Sequence, residues 1–366
     1  MTGSGPRRTL AAVVAGLCLV AAAPVRAHIV YGRPTLLGLT LGADVVAHVR
    51  ILEPNAQVVL PESGQRRGVV VAELRELLKG SLEPGAPLRF ATHGHGVAEY
   101  VAGEQAVVFL AGIERSRELD ALAVTGLRWV SFQEHDARFV LDSSNRKPLL
   151  AALRGYVSAE GEGEPEARLR KQRAVTLALL TSGIPRLAES AVQDLAGAGE
   201  VPLVTVEDVP LLLERVVDSP EAPAGLRAAL LSELARRGFV DGAPHWVRLL
   251  RTTSKPELLQ VVRAAGQHPS PAVDETLVAM LGGDDSEIAA AAALALGTPA
   301  HADATPSLAA SLDHPEPRVR MAAIRALGRI PTPAAQRALE TAAAEHTDLD
   351  TRRRAAAEVR AATTSD

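Results

Sequence analysis

The sequence predicts a multidomain α and β protein, with a small antiparallel β-barrel or sandwich at the N-terminus and an α-α solenoid after it. One observation is a shift in composition near residue 145. Most aromatic residues lie before that point, where valine-rich stretches favour strands. Alanine, leucine, glutamate and arginine dominate after it and favour helices. The other observation is self-similarity in the C-terminal half, which is typical of stacked supersecondary units.

Composition and charge narrow the class of protein. The chain has 366 residues, of which 47% are apolar and 22% charged, so it can bury a core. The formal net charge is −4. A nucleic-acid partner usually requires a basic face, and this charge does not predict one.

The first 27 residues are predicted to be a signal peptide. Arg7 and Arg8 precede an apolar run, Thr9–Ala23, that is shorter than a membrane span. Small residues suit cleavage between Ala27 and His28. A cut after Ala23 would place a proline beside the scissile bond. We therefore expect an exported protein, periplasmic or extracellular, with an uncleaved anchor helix as the alternative.

The only cysteine, Cys18, lies inside the predicted signal. The mature chain is therefore expected to form no disulfide and no thiolate metal site. No later apolar run is long enough to cross a bilayer, so no transmembrane segment is expected in the mature chain.

Residues 28–145 are predicted to form a β-rich module of five or six short strands, whose spacing is typical of a small barrel or sandwich. The last two strands, separated by "HDA", are predicted to form a hairpin. "LRELLKGS" is either a strand extension or a helical turn. The strand sequences are ADVVAHVRIL, RGVVVAEL, PLRFAT, QAVVFLAGI, GLRWVSFQE and ARFVLD.

The motif "ELLKG" before a glycine-proline turn, followed later by "GEQAVVFLAG", resembles the OB-like barrel modules of secreted netrin and tissue-inhibitor-of-metalloproteinase type. The resemblance covers about Ala43 to Asp142. Animal members carry disulfides that this chain lacks, so no site residues are transferred from that family.

Helices are predicted from residue 146 to the C-terminus. Residues 146–205 form a helical connection and the N-terminal cap of the solenoid, 206–362 the repeats, and 363–366 a disordered tail. Gly266, Gly297 and Gly328 follow one another at intervals of 31 residues. Three apolar columns keep the same interval: Trp246, Leu277 and Leu308; Leu250, Leu281 and Leu312; Val262, Ala293 and Ile324.

Each unit is predicted to contain two helices. In the unit ending at Gly328, Pro315 and Pro317 suit a helix start, and the glycine suits a left-handed cap. "HPEPRVRMAAIRALGRI" and "SEIAAAAALALG" resemble HEAT repeats of the short PBS-lyase-like type, over about residues 206–362. The resemblance implies an extended surface for a protein partner. The unit ending at Gly238 departs from the register by three residues.

Candidate site residues are few. His93 and His95 would face one side of a strand and could share a metal, although a solvent-facing loop is the alternative. His28, as a new N-terminus, could chelate copper. Neither arrangement shows a third ligand, so no metal site is expected. Asp284 and Asp285 are expected to cap a helix.

No sequence motif for a nucleophile, a zinc protease or a phosphate loop is present. We therefore expect no catalytic residue and no cofactor. The sequence favours an exported, non-catalytic binding or scaffolding protein whose protein partner lies on the solenoid surface. The alternative is a metal-binding protein or an enzyme with its site in the β-module.

Overall fold

The computed structural model describes residues 34–59, 64, 66–83, 85–92, 100–115, 125–132, 138–198 and 201–363. The predicted signal peptide, its cleavage site at Ala27 and His28, and all but the first residue of the predicted tail lie outside these residues.

The N-terminal part is a closed β-barrel, as predicted. Five strands form a ring in the order β1-β2-β3-β5-β4, and β4 pairs again with β1. Every pair in the ring is antiparallel except β3 with β5, which is parallel. This ring is consistent with an OB-like module. The strands are β1 Val45–Val59, β2 Arg66–Lys79, β3 Leu88–Ala91, β4 Gln105–Gly112, β5 Trp129–Ser131 and β6 Arg138–Val140.

Strands β5 and β6 do not form the predicted hairpin. Both pair antiparallel with β4, β5 along Leu110–Gly112 and β6 along Ala106–Val108. Since β1 occupies the other edge of β4, β5 and β6 are two parts of one interrupted strand. The alternating pattern identified both strands, but pairing depends on β4. The segment "LRELLKGS", predicted to be either a strand extension or a helical turn, is a strand as far as Lys79, the end of β2.

The apolar residues of β1 and β4 serve two cores. Inward-facing residues such as Val45 and Leu110 fill the barrel together with Phe90. Val46 and Phe109, from the opposite faces of the same strands, belong to the large core of the helices. Burial on both faces explains why β4 is a continuous apolar run rather than an alternating one.

One helix, α1, precedes the barrel, where the sequence predicted only strands. Thr35 caps it by accepting a hydrogen bond from the Gly38 amide at 3.0 Å. Leu36 and Leu39 are fully buried. The helix is only seven residues long and mostly apolar, so it shows no helical periodicity that could distinguish it from a strand.

Thirteen further α-helices follow the barrel in the described residues. They are α2 Arg146–Glu160, α3 Pro165–Leu180, α4 Pro185–Gly197, α5 Val209–Leu212, α6 Ala224–Arg236, α7 Ala243–Thr252, α8 Leu258–Ala265, α9 Pro271–Leu281, α10 Ser286–Leu296, α11 Thr305–Ala310, α12 Pro317–Leu327, α13 Pro333–Glu345 and α14 Leu349–Thr363; α1 is Leu36–Gly42. A π-helical turn, Leu213–Val217, extends α5. Short 3-10 turns lie at Ile113–Arg115, Val206–Asp208, Pro299–Ala304 and Ser311–Asp313.

These helices form a solenoid. The second helix of each unit packs on the second helix of the next, giving one continuous row of α4, α6, α8, α10, α12 and α14. First helices such as α7 and α9 form the other layer. All nine residues of the three predicted columns are buried. The prediction of stacked helical repeats is therefore confirmed.

The glycines that end the second helices have a different role from the predicted one. Gly266, Gly297 and Gly328 have φ angles of −62°, −81° and −62°, so none is a left-handed cap. A Cβ on Gly297 would lie 2.6 Å from Ala326 Cα, and one on Gly266 would lie 2.8 Å from Ala295 Cβ. At Gly266 and Gly297, glycine is needed because the next helix approaches too closely for a side chain.

The barrel and the helices share one core. Helix α1 packs on α2 and α4, and Leu36 and Phe109 lie in the same apolar cluster as Leu187. The Leu36 amide donates to the Ser190 hydroxyl at 2.7 Å. At the edge of this contact, Lys79 Nζ lies 2.8 Å from a Glu160 carboxylate oxygen. The boundary predicted at residue 145 therefore falls within a continuous core.

A buried acid lies at this junction. Asp194, on α4, is 7% exposed and hydrogen-bonds Thr35 and the Leu37 backbone at the start of α1. Burial raises the pKa of its carboxyl group to about 7, and these two hydrogen bonds oppose the shift. The Oδ2 atom of Asp194 has no hydrogen-bond partner among the described residues. A neutral carboxyl group therefore suits the site better than a carboxylate.

We expect Gly297→Ala to lower the free energy of unfolding by about 1–3 kcal/mol, the usual cost of overpacking. The added methyl group would meet backbone of α12. Urea denaturation followed by circular dichroism measures the change. Gly197→Ala is the control, because a Cβ there has no atom within 4 Å. It should leave stability unchanged or raise it slightly. Equal losses in both variants would contradict the close-approach explanation.

We expect Asp194→Asn to flatten the dependence of stability on pH. In the unfolded chain this carboxyl group loses its proton near its ordinary pKa of 3.8, and in the folded chain near 7. Its contribution to stability therefore falls as pH rises between these values and stays low above 7. Asparagine cannot ionise, so the variant should be more stable than the wild type at about pH 8.

Thermal unfolding across this pH range tests the effect. One pKa unit corresponds to about 1.36 kcal/mol, so the change should be on the order of a few kcal/mol. Asp284→Asn, at an exposed position, controls for the loss of one negative charge. If stability depends on pH in the same way in the wild type and in Asp194→Asn, this carboxyl group does not stay protonated in the folded protein.

Candidate protein-binding surface

Three successive second helices expose the same position of the repeat. Arg263 on α8, Leu294 on α10 and Arg325 on α12 each lie three residues before the glycine that ends the helix, and all three are exposed. Neighbouring packed helices lie about 8–10 Å apart. We call these three residues the Arg-Leu-Arg row.

A second, apolar set of residues lies beside this row. Leu259, Ala290 and Met321 occupy the position four residues earlier, which is on the same helix face. Leu259 and Met321 are half-buried, and Ala290 is buried. Beside them, the Leu294 side chain is 36% exposed. Arginine and methionine around an apolar centre are typical of protein interfaces.

The arginines of this face are free to bind a ligand. Among the described residues, Arg263, Arg318, Arg325 and Arg329 make no ion pair. One acid, Glu287, lies on the corresponding face of α10. The exposed side of the second helices is therefore basic, although the whole chain carries a net negative charge.

Arg320 shows the contrasting arrangement. It is mostly buried and donates to the His314 and Pro315 carbonyls at 2.8 Å. Its guanidinium also contacts Asp348 at 3.4 Å and the Thr351 hydroxyl at 3.1 Å. This arginine therefore connects α12 with α14, and its guanidinium is not available to a partner.

The predicted metal candidates His93, His95 and His28 lie outside the described residues. Within the described part, no group of three or more His, Cys, Asp or Glu side chains could hold a metal ion. His48, on β1, lies with Nε2 3.1 Å from the Gln105 side-chain oxygen. Burial lowers the pKa of His48, and the hydrogen bond to Gln105 opposes that shift.

Of the two acids before α10, Asp285 caps that helix, as expected, and Asp284 makes no capping hydrogen bond among the described residues. The Asp285 carboxylate accepts hydrogen bonds from the Glu287 and Ile288 amides at 3.0 and 3.2 Å. It also pairs with Lys255. These contacts give Asp285 a structural role.

The barrel also contains an open cleft of about 1090 Å³. It opens where β3 and β5 separate, because the two strands pair only through Phe90–Trp129 and Ala91–Val130. Apolar residues such as Leu82 and Trp129 line it, together with an ion pair between Arg128 and Glu83. Its charged lining residues are two glutamates and two arginines, so the charge of the lining does not indicate a ligand of either sign.

The Arg-Leu-Arg row was not recognised from the sequence, although the signal was present. It lies one residue after the predicted buried column Val262, Ala293 and Ile324. Reading the interval of 31 residues at the exposed positions would have found it. None of the helices in the described part combines the length and apolar character needed to span a bilayer.

A family model for HEAT repeats matches residues 275–360. No curated protein matches the sequence. The solved structures that resemble it include the following two. An engineered protein is 22% identical, with 57% of this chain and 94% of that chain covered and a TM-score of 0.32. Human deoxyhypusine hydroxylase in complex with glycerol is 20% identical, with 57% and 90% covered and a TM-score of 0.29. The family match at residues 275–360 lies in the C-terminal half, and HEAT repeats suggest a role in protein interaction.

Proposed function

We propose that this chain is an exported, non-catalytic scaffold that holds a protein partner on its solenoid surface. The observation that carries the proposal is the unbroken row of second helices, in which α8, α10 and α12 expose the same position of three successive repeats. A solenoid of this kind presents an extended surface that no single repeat could provide.

The non-catalytic part of the proposal is supported by the location of the strongly shifted acid. Catalytic groups with perturbed pKa values lie in clefts where they can reach a substrate. Asp194 instead lies under α1, at the contact between the barrel and the first repeats. Burial at this contact is the cause of its raised pKa.

Export is supported by the N-terminal sequence, with Arg7 and Arg8 before the apolar run Thr9–Ala23 and a small residue at Ala27. The lack of cysteines after residue 18 is compatible with an oxidising compartment, because the continuous core needs no disulfide. We place the mature protein in the periplasm or outside the cell.

We expect the exported protein to begin at His28. Expression of the full chain, cell fractionation and N-terminal sequencing test this directly. Ala27→Asp should block processing, because the cleavage site requires a small residue there. Ala23→Asp should leave processing unchanged. Recovery of the intact N-terminus from the cytoplasmic fraction would contradict the export proposal.

A further inference from the structure

We propose that the Arg-Leu-Arg row binds an acidic protein segment that carries an apolar anchor side chain. This inference rests on the proposed function and adds the chemistry of the partner. The three residues come from three successive repeats, so the site exists only when those repeats are stacked.

The spacing of the row defines the ligand. Arg263 and Arg325 are separated by two helix-to-helix steps, or about 16–20 Å. An extended chain advances about 3.3 Å per residue. Two carboxylates about five or six residues apart would therefore reach both guanidinium groups, with the residue midway between them next to Leu294.

The charges favour a carboxylate ligand. A guanidinium group forms paired hydrogen bonds with a carboxylate, and these are stronger than hydrogen bonds between neutral groups. Neither Arg263 nor Arg325 has an ion pair to break among the described residues. Binding an acid here therefore gains charge-assisted contacts without loss of existing ones.

The apolar contacts favour a protein over other polyanions. Leu294 is exposed between the two arginines, and Leu259 and Met321 beside it are half-buried, so the row offers an apolar contact for one side chain of a bound peptide. A membrane surface would favour several protruding apolar side chains, and this row exposes a single large one, Leu294. The net charge of −4 opposes binding to nucleic acid.

A random dodecapeptide phage library, panned against the full chain, tests the proposal. We expect enriched peptides with acidic residues on both sides of an apolar one. Synthetic copies should bind with an affinity that falls steeply with salt. Arg263→Gln with Arg325→Gln should weaken binding about tenfold or more, and Leu294→Ala should weaken it several-fold.

The matched control is Arg251→Gln with Arg337→Gln. Both arginines are exposed, lie on first helices α7 and α13, and make no ion pair among the described residues. This double variant removes the same charge and should keep full affinity. Circular dichroism should show the same helical content in both double variants.

Several results would overturn the proposal. They are a library that yields no binder or only non-acidic binders, affinity retained in the Arg263/Arg325 variant, and preferential binding to phosphatidylglycerol vesicles or to a second copy of the chain. A further variant, Leu281→Ala, opens a cavity between repeats. It distinguishes failure of the proposal for the Arg-Leu-Arg row from failure of the proposed function. Binding lost there but retained in the Arg263/Arg325 variant would leave the solenoid as the binding element with another face in use. Binding retained in both variants would also contradict the proposed function.

Discussion

The contact between a helix-ending glycine and an alanine of the next repeat determines the geometry of the C-terminal half. Gly266 against Ala295 and Gly297 against Ala326 bring successive second helices together without an intervening side chain. The repeat interval then places equivalent residues side by side. The Arg-Leu-Arg row depends on this constraint, because residues 31 positions apart in sequence form one surface only when the helices are closely stacked.

The contact between the barrel and the first helices has a different role, at the N-terminal end of the solenoid. A solenoid has an open end, and the apolar face of its first repeat must be covered. Here α1 and the outer faces of β1 and β4 provide that cover, and their apolar residues join the core of the helices. The buried Asp194 marks this contact, and its burial beneath α1 accounts for its raised pKa.

Much of the fold could be predicted from the sequence, because buried positions leave periodic apolar residues. All three predicted columns are buried, and the predicted barrel is present. The prediction that the helix-ending glycines are left-handed caps was wrong. A left-handed backbone and a close helix contact both require glycine, and sequence alone does not distinguish them. The pairing of β5 and β6 depends on β4, which is distant in the chain. The Arg-Leu-Arg row was missed because exposed residues vary between repeats.

The hydrogen bond from Leu36 to Ser190 spans 154 residues, and this separation has a consequence for folding during synthesis. A ribosome releases the barrel strands well before α4, which supplies the serine. During that interval the outer face of the barrel, with Val46 and Phe109, lacks the helices that cover it in the finished protein. Until α4 has emerged, the nascent chain therefore exposes an apolar surface of the kind that makes folding intermediates prone to aggregation.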